Sequence, residues 1–291
     1  MRPFDLFVGV DWSGARGPRL KHLQVAWRGP GEAAPVLEPP PDGAWTRPAF
    51  AGWLLERARD RRVLCGLDFS FCFPWEDRQA YFPGFADDPA GHAAFWALVE
   101  ALCVGDEDMF AGGFCEVEPI GQHFRRGAVT GAAYERRLRV AEALARTRGL
   151  GAAESVFNLV GARQVGKGSL AGMRLLRCLR ERGGVAVWPF DPAGDARLVL
   201  VEAFPTAFVR MAGGGPGKLR DAERLNRVLR YFGSNPYCHP GNDIFDLTDD
   251  MTDALVIAAA LRPLSADPCL WNPPGLSDRV RCFEGWTFGI A

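Results

Sequence analysis

The amino-acid sequence predicts an α/β fold. Three observations carry this. Short apolar, β-rich runs each end in a carboxylate: Phe4–Val10 before Asp11, Arg62–Leu67 before Asp68, and Leu198–Val201 before Glu202. Amphipathic helical segments lie between and after these runs. The chain has 291 residues, 48% apolar and 24% charged, which suits a polypeptide with a real core. That length is long for one minimal domain and short for two full ones, so one domain of 1–291 with a large insertion is expected. The composition excludes a disordered tail, a coiled coil and a collagen-like chain. No apolar run approaches the ~20 residues that span a bilayer, so no membrane partner is expected. The segment MRPFDLFVGVD has no small-residue cleavage site and reads as a strand rather than a signal peptide, which makes a cytoplasmic location the expectation.

The elements follow in order. Lys21–Arg28 alternates apolar and polar residues in part, as a half-buried strand does. Between it and the first strand, Gly14, Gly17 and Pro18 supply turn chemistry. Glu32–Asp42 is a Pro-rich loop with a short third strand near Val36. Thr46 caps a helix to about Arg59, with Phe50, Trp53, Leu54 and Ala58 on one face. Phe69 to Phe124 is loop-rich and aromatic, with one helix over His92–Cys103. A helix is predicted over Tyr134–Arg148, with Leu138, Ala141 and Ala145 on one face and Arg136, Arg139 and Arg146 on another. A second basic helix is predicted over Ser169–Arg182, with Leu170, Met173, Leu176 and Leu179 inward and Arg174, Arg177 and Arg180 outward. Strands at Val185–Trp188 and Leu198–Glu202 are joined by a turn at Asp191–Asp195. Leu219–Phe232 is a helix, and Thr248 caps the last one, Asp249–Leu261. Residues 70–184 thus read as a large, mainly helical insertion. There is no repeat of fixed period and no low-complexity segment.

Net charge is only −1, yet its distribution is uneven. Residues 62–118 hold 2 basic and 11 acidic side chains, whereas 121–182 hold 13 basic and 4 acidic, so the near-zero total hides two opposed blocks. Lys occurs 3 times against 31 Arg, which reads as compositional bias rather than a phosphate-binding adaptation. Eight Cys occur with no CxxC pair, so reduced, mostly buried thiols are expected, with Cys238-His239 as a weak metal-ligand alternative.

The acids carry the chemistry. Val8-Gly9-Val10-Asp11-Trp12-Ser13 and Cys65-Gly66-Leu67-Asp68-Phe69-Ser70 follow one pattern: apolar, Gly, aliphatic, Asp, aromatic, Ser. A buried strand ending in a carboxylate sets that charge at the edge where α/β sheets bind ligands. If the two strands are parallel neighbours, Asp11 and Asp68 lie about 5 Å apart. Carboxylates so close repel unless one is protonated or a cation lies between them, and a hard divalent cation suits such oxygens. The competing reading of each Asp alone is a turn or cap residue. Glu202 ends a third strand, before Pro205. Asp250 and Asp253 share a face of the last helix, and Asp253 precedes the wholly apolar ALVIAAAL, where an unpaired acid is costly.

With hairpin, strand, helix, strand-Asp, strand-Glu and a final Asp-bearing helix in this order, the sequence resembles the ribonuclease H-like fold, a mixed sheet flanked by helices. More closely, VGVDWSG, GLDFSFCFP, QVGKGSLAGMRLL, VEAFPTA, DDMTDALVIAAAL and EGWTFGI resemble domain-of-unknown-function family 429, predicted nucleases of that fold, over nearly the whole chain. The resemblance implies that Asp11, Asp68 and Asp253 ligate one or two Mg²⁺ or Mn²⁺ ions for phosphodiester hydrolysis. Asp250, where relatives often have His, would be a further ligand, and Glu202 a ligand or supporting base. A nucleic acid is the partner this implies.

Other signals are weaker. Gly161–Ser169 nearly spells a phosphate-binding P-loop, but Gly168 stands where Ser or Thr is needed. Lys167, Arg136, Arg139, Arg174 and Arg177 are candidate phosphate contacts; the competing reading is a solvated face, supported by the Glu135–Arg139 and Glu142–Arg146 spacings. Phe69, Phe71, Phe73, Trp75, Tyr81, Phe82 and Phe85 either stack bases or pack a core. Two rival classes stay open: an actin-like phosphotransferase or ATPase, and a non-catalytic nucleic-acid- or protein-binding module. Oligomeric state is not legible.

Overall fold

The computed structural model describes residues 2–160, 165–219, 221–238 and 247–291. The chain begins with β1 (Leu6–Asp11), β2 (Gln24–Arg28), β3 (Val36–Leu37), α1 (Arg47–Arg57) and β4 (Val63–Leu67). It continues through α2 (His92–Leu102), β5 (Arg125–Arg126), β6 (Val129–Thr130), α3 (Val140–Thr147), β7 (Asn158–Val160) and α4 (Gly166–Arg180). It ends with β8 (Val185–Val187), β9 (Leu198–Glu202), α5 (Pro205–Met211), α6 (Ala222–Tyr231), α7 (Asp249–Ser265) and α8 (Asp278–Phe283). None of these helices is long and apolar enough to cross a membrane.

The main sheet runs β3-β2-β1-β4-β9-β8. Strand β2 is antiparallel to β1 and to β3, whereas β1–β4, β4–β9 and β8–β9 are parallel. The α/β architecture with a mixed sheet flanked by helices is therefore as the sequence predicts. Both faces of the sheet are covered, which explains the continuous apolar runs of β1, β4 and β9. Leu6, Val8, Val10, Val63, Cys65, Leu67, Leu198 and Leu200 join a core with α1, α2 and α4 on one side. Phe7, Leu64, Val199 and Val201 join a core with α5, α6 and α7 on the other.

Helix α7 is the central element of that second layer. Thr248 caps it, its hydroxyl accepting the Met251 N–H at 3.2 Å. Every residue from Ala254 to Leu261 is fully buried, as a helix enclosed all round must be. The side chains of Leu255, Val256, Ile257 and Leu261 each contribute about 1.5–3 kcal/mol by leaving water. The approach to the sheet is close because Gly9 and Gly66, paired across β1 and β4, lack side chains. A Cβ at Gly9 would stand 2.2 Å from the Ala254 carbonyl oxygen, and one at Gly66 would stand 2.6 Å from Ile257 Cγ2.

Two predicted features need correction. The helix expected over Tyr134–Arg148 begins only at Val140. The residues before it are drawn inward: the buried Arg137 guanidinium donates to Asp77 at 2.6 Å and to the carbonyls of Pro74, Ala80 and Tyr81. The 70–184 segment is also less helical than expected, since its three α-helices are joined by 3-10 turns and a small β6-β5-β7 sheet. Most of its candidate stacking aromatics are core: Phe71, Phe73, Tyr81 and Phe82 are fully buried, the last three packing on Phe95, Phe114, Phe124 and Phe157, whereas Trp75 and Phe85 are half-buried. Four Cys are buried (Cys65, Cys72, Cys103, Cys115), and burial pushes the Cys72 thiol up to about 12.

The glycine contact yields a prediction with an internal control. Gly9→Ala should lower stability by about 1–3 kcal/mol or more through overpacking. Gly52→Ala, in α1 with open space around it, should raise stability by roughly 1 kcal/mol. Urea midpoints of the two variants measure both; a neutral Gly9→Ala would remove the close packing of α7.

Candidate functional site

Strand register builds the site. Val10 pairs with Leu67, so the next residues, Asp11 and Asp68, end neighbouring parallel strands side by side. Alternation along a strand turns Asp11 to the same face as Gly9, and Asp68 to the same face as Gly66, which is the α7 face. Asp253 precedes Ala254, the residue lodged against Gly9. Carboxylate oxygens of Asp11, Asp68 and Asp253 consequently all lie within 4.8 Å of one another, and all three residues are half-buried.

So concentrated a charge is expensive. Burial, then Asp68, Asp253 and Asp250, push the Asp11 carboxyl well above its ordinary value of 3.8. Burial and Asp253 do the same to Asp68. Burial also raises Asp253, against the pull of Lys218, whose Nζ donates to Asp253 Oδ2 at 2.8 Å. Burial opposes the Lys218 charge, but Asp253, Asp249 and Asp11 hold the ammonium above its usual range. The donor set, three hard oxygens from three elements, fits a Mg²⁺- or Mn²⁺-type cation. Among the described residues there is one such cluster and no comparable set for a second ion.

Asp250 stands outside the triad, its Oδ2 2.8 Å from His22 Nδ1 near the surface. Glu202 also stands apart, and the reason is register. It pairs with Leu67, one residue short of Asp68, so alternation turns it to the opposite face. There its carboxylate accepts from Arg139 at 2.5 and 2.7 Å, from the Phe71 N–H at 2.9 Å and from the Thr287 hydroxyl at 2.6 Å. Arg139 is 1% exposed, caps α3 and also pairs with Glu142 at 2.8 Å. It is therefore not a surface phosphate contact.

Nor do the other predicted cations form one basic face. Arg174 is buried against Glu100 at 2.8 Å and against loop carbonyls. Arg177 pairs with Glu181 at 3.3 Å, and Arg136 reaches Glu154 at 3.9 Å. Lys167 lines an open groove of about 790 Å³ together with Arg16, His22, Asp106 and Glu116. A smaller cavity of about 220 Å³ opens beside Asp11 and Asp68, lined also by Trp12, Phe69, Ser70 and Glu202. The Trp12 indole donates to the Gly168 carbonyl at 3.0 Å and fixes the wall between the two spaces. Residues 161–164 of the P-loop-like stretch, and His239 of the Cys-His pair, lie outside the described residues.

Sequence reasoning missed Lys218, His22, Arg16 and the Arg139–Glu202–Thr287 network. Only Lys218 carried a signal, as one of three Lys, following the glycine-rich Gly213–Gly217. No family model, curated protein or solved structure matches the chain.

Two predictions follow from these charges. Since the triad carboxyls titrate higher in the folded than in the unfolded chain, the folded state holds more protons. The stability this lends is complete below pH ~4 and is lost as pH rises through the raised values. In chelator, Asp68→Asn should flatten that fall and raise the melting temperature at pH 8; an unchanged pH slope would contradict the assignment. Separately, Arg139→Met should cost about 3–5 kcal/mol by stranding Glu202 and Glu142, and Arg139→Met/Glu202→Leu should recover part of it. Denaturant titration distinguishes this from a peripheral pair, whose loss costs less than about 1 kcal/mol.

Proposed function

We propose that the protein is a divalent-metal-dependent nuclease of ribonuclease H-like fold that hydrolyses phosphodiester bonds of nucleic acid. The single observation behind this reading is the convergence of Asp11, Asp68 and Asp253, from β1, β4 and α7, within 4.8 Å. The strand order, with an antiparallel β2 beside parallel β1 and β4, agrees with the likeness to family 429 and that fold. The neighbouring groove carries Arg16, His22 and Lys167, which can meet phosphates, alongside Asp106 and Glu116.

Asp11, Asp68 and Asp253 would hold Mg²⁺ or Mn²⁺, which when bound lowers the pKa of a water and offsets charge on the leaving oxygen. The remaining roles belong to the chain. Lys218 pairs with Asp253 and fixes its carboxylate, and it supplies a positive charge where phosphate oxygens would approach. His22 fixes Asp250, whose charge lies at the rim. Glu202 is a positioning residue: it accepts the Phe71 N–H and ties the segment after Asp68 to Arg139 and Thr287.

A cleavage assay on DNA, RNA and hybrid substrates with Mg²⁺ or Mn²⁺ tests the proposal. Metal-dependent cleavage is expected, and Asp11→Asn and Asp68→Asn should each lower it by more than ~100-fold, the upper range for residues that merely support a metal ligand. Activity that survives both substitutions overturns the assignment. ATP turnover would favour the phosphotransferase class, and metal-independent binding without cleavage would favour the binding module.

A further inference from the structure

The two spaces beside the acids differ in size and share a wall. Trp12, Gly14 and Gly168 line both. The smaller one, about 220 Å³, lies below the ~300–1,000 Å³ of pockets for drug-sized ligands, so it takes one ring system. Its walls carry Asp11, Asp68, Glu142, Glu154 and Glu202 against one guanidinium, Arg139. The carboxylate oxygens on these walls can accept from an uncharged group rich in hydrogen-bond donors. Trp12, Phe69 and Phe204 offer aromatic surface to such a group. The larger space, about 790 Å³, carries Arg16, His22 and Lys167 together with Asp106 and Glu116, so its cations can meet phosphates while its overall charge is balanced. Its size and its Arg16, His22 and Lys167 donors suit a stretch of backbone outside the smaller space.

Resting on the nuclease reading, we infer that the substrate is single-stranded nucleic acid: one unstacked base enters the smaller cavity, and the adjoining backbone lies in the groove that bears Arg16, His22 and Lys167. Asp11 and Asp68 of the triad line the smaller space, so the phosphate attached to the inserted nucleotide would come next to them. A base that remains paired and stacked in a duplex cannot enter the cavity without being extruded, which disfavours duplex substrates.

The test compares one labelled sequence as a single strand and as a blunt duplex, with Mn²⁺, in wild type, Ala153→Phe and Lys167→Glu. Ala153 lines the cavity from a loop, so the larger ring fills the cavity without entering the core. Single strand should be cut at least about tenfold faster than duplex. Ala153→Phe should lose most single-strand cleavage while keeping the wild-type melting-temperature rise with Mn²⁺. Lys167→Glu should raise KM for the strand more than it lowers kcat. Equal cutting of strand and duplex, or wild-type cutting by Ala153→Phe, overturns this inference and leaves the nuclease reading standing. If wild type binds Mn²⁺ but cuts neither substrate, the nuclease reading fails and takes this inference with it.

Discussion

Helix α7 lies on β1 and β4 so closely that a methyl group at Gly9 would meet the Ala254 carbonyl oxygen at 2.2 Å, and the convergence of three acids at the candidate site depends on that contact. The parallel pairing of β1 and β4 sets Asp11 beside Asp68. It does not by itself bring a third carboxylate. The third arrives because two glycines in register leave a flat strip on the sheet, and an alanine-rich helix settles into it. With side chains at Gly9 and Gly66, α7 would lift, and Asp253 would lift with it. The hydrophobic free energy of burying Ala254–Leu261 thus holds three like charges together against their repulsion.

Around that contact, arginines fix the loops. Arg137 gathers the carbonyls of Pro74, Ala80 and Tyr81. Arg47 donates to the carbonyls of Ser13 and Ala15, both at 2.8 Å, and to that of Asp108. Arg62 does the same for Ala193, Gly194 and Ala196. A guanidinium presents a rigid fork of donors, so one side chain satisfies several loop carbonyls that would otherwise lack partners. Part of the large share of Arg is therefore used in the interior, and burial lowers Arg47 to about 10 without removing its charge at neutral pH. Glu284 is the acidic counterpart, accepting the N–H groups of Trp75, Glu76 and Val140.

Much of this was legible in the sequence, and the failures share a cause. Strands that end in Asp, the Thr46 and Thr248 caps and the aliphatic run of α7 are local signals, and they form as predicted. The matched Gly-x-Asp pattern identified the right pair of strands, although the reason for its glycines became visible only against α7. Glu202 shows what is lost without register. Its strand ends in an acid just as β1 and β4 do, but a one-residue offset reverses its face and gives it to Arg139. The arginines fail likewise. Spacing on a predicted helix sets their face, yet Arg139 precedes the helix it was assigned to, and Arg174 lies on a face that α2 and its Glu100 cover. No residue-level pattern carries the identity of a partner more than sixty positions away.

The same logic bears on the balance of charge at the site. The acidic block and the basic block of the sequence do not meet as two faces. The buried arginines of the basic block, Arg137, Arg139 and Arg174, are neutralised within the fold by Asp77, Glu142, Glu202 and Glu100. The triad keeps one close partner of opposite sign among the described residues, Lys218, which touches only Asp253 of the three. Asp11 and Asp68 have no such partner, and their mutual repulsion adds to the cost of burial in each other's presence. A structure that neutralises its acids elsewhere with buried arginines leaves these two to a proton or to a cation from solution. That selective lack of an internal counter-charge, more than the presence of acids, distinguishes this cluster from the structural carboxylates around it.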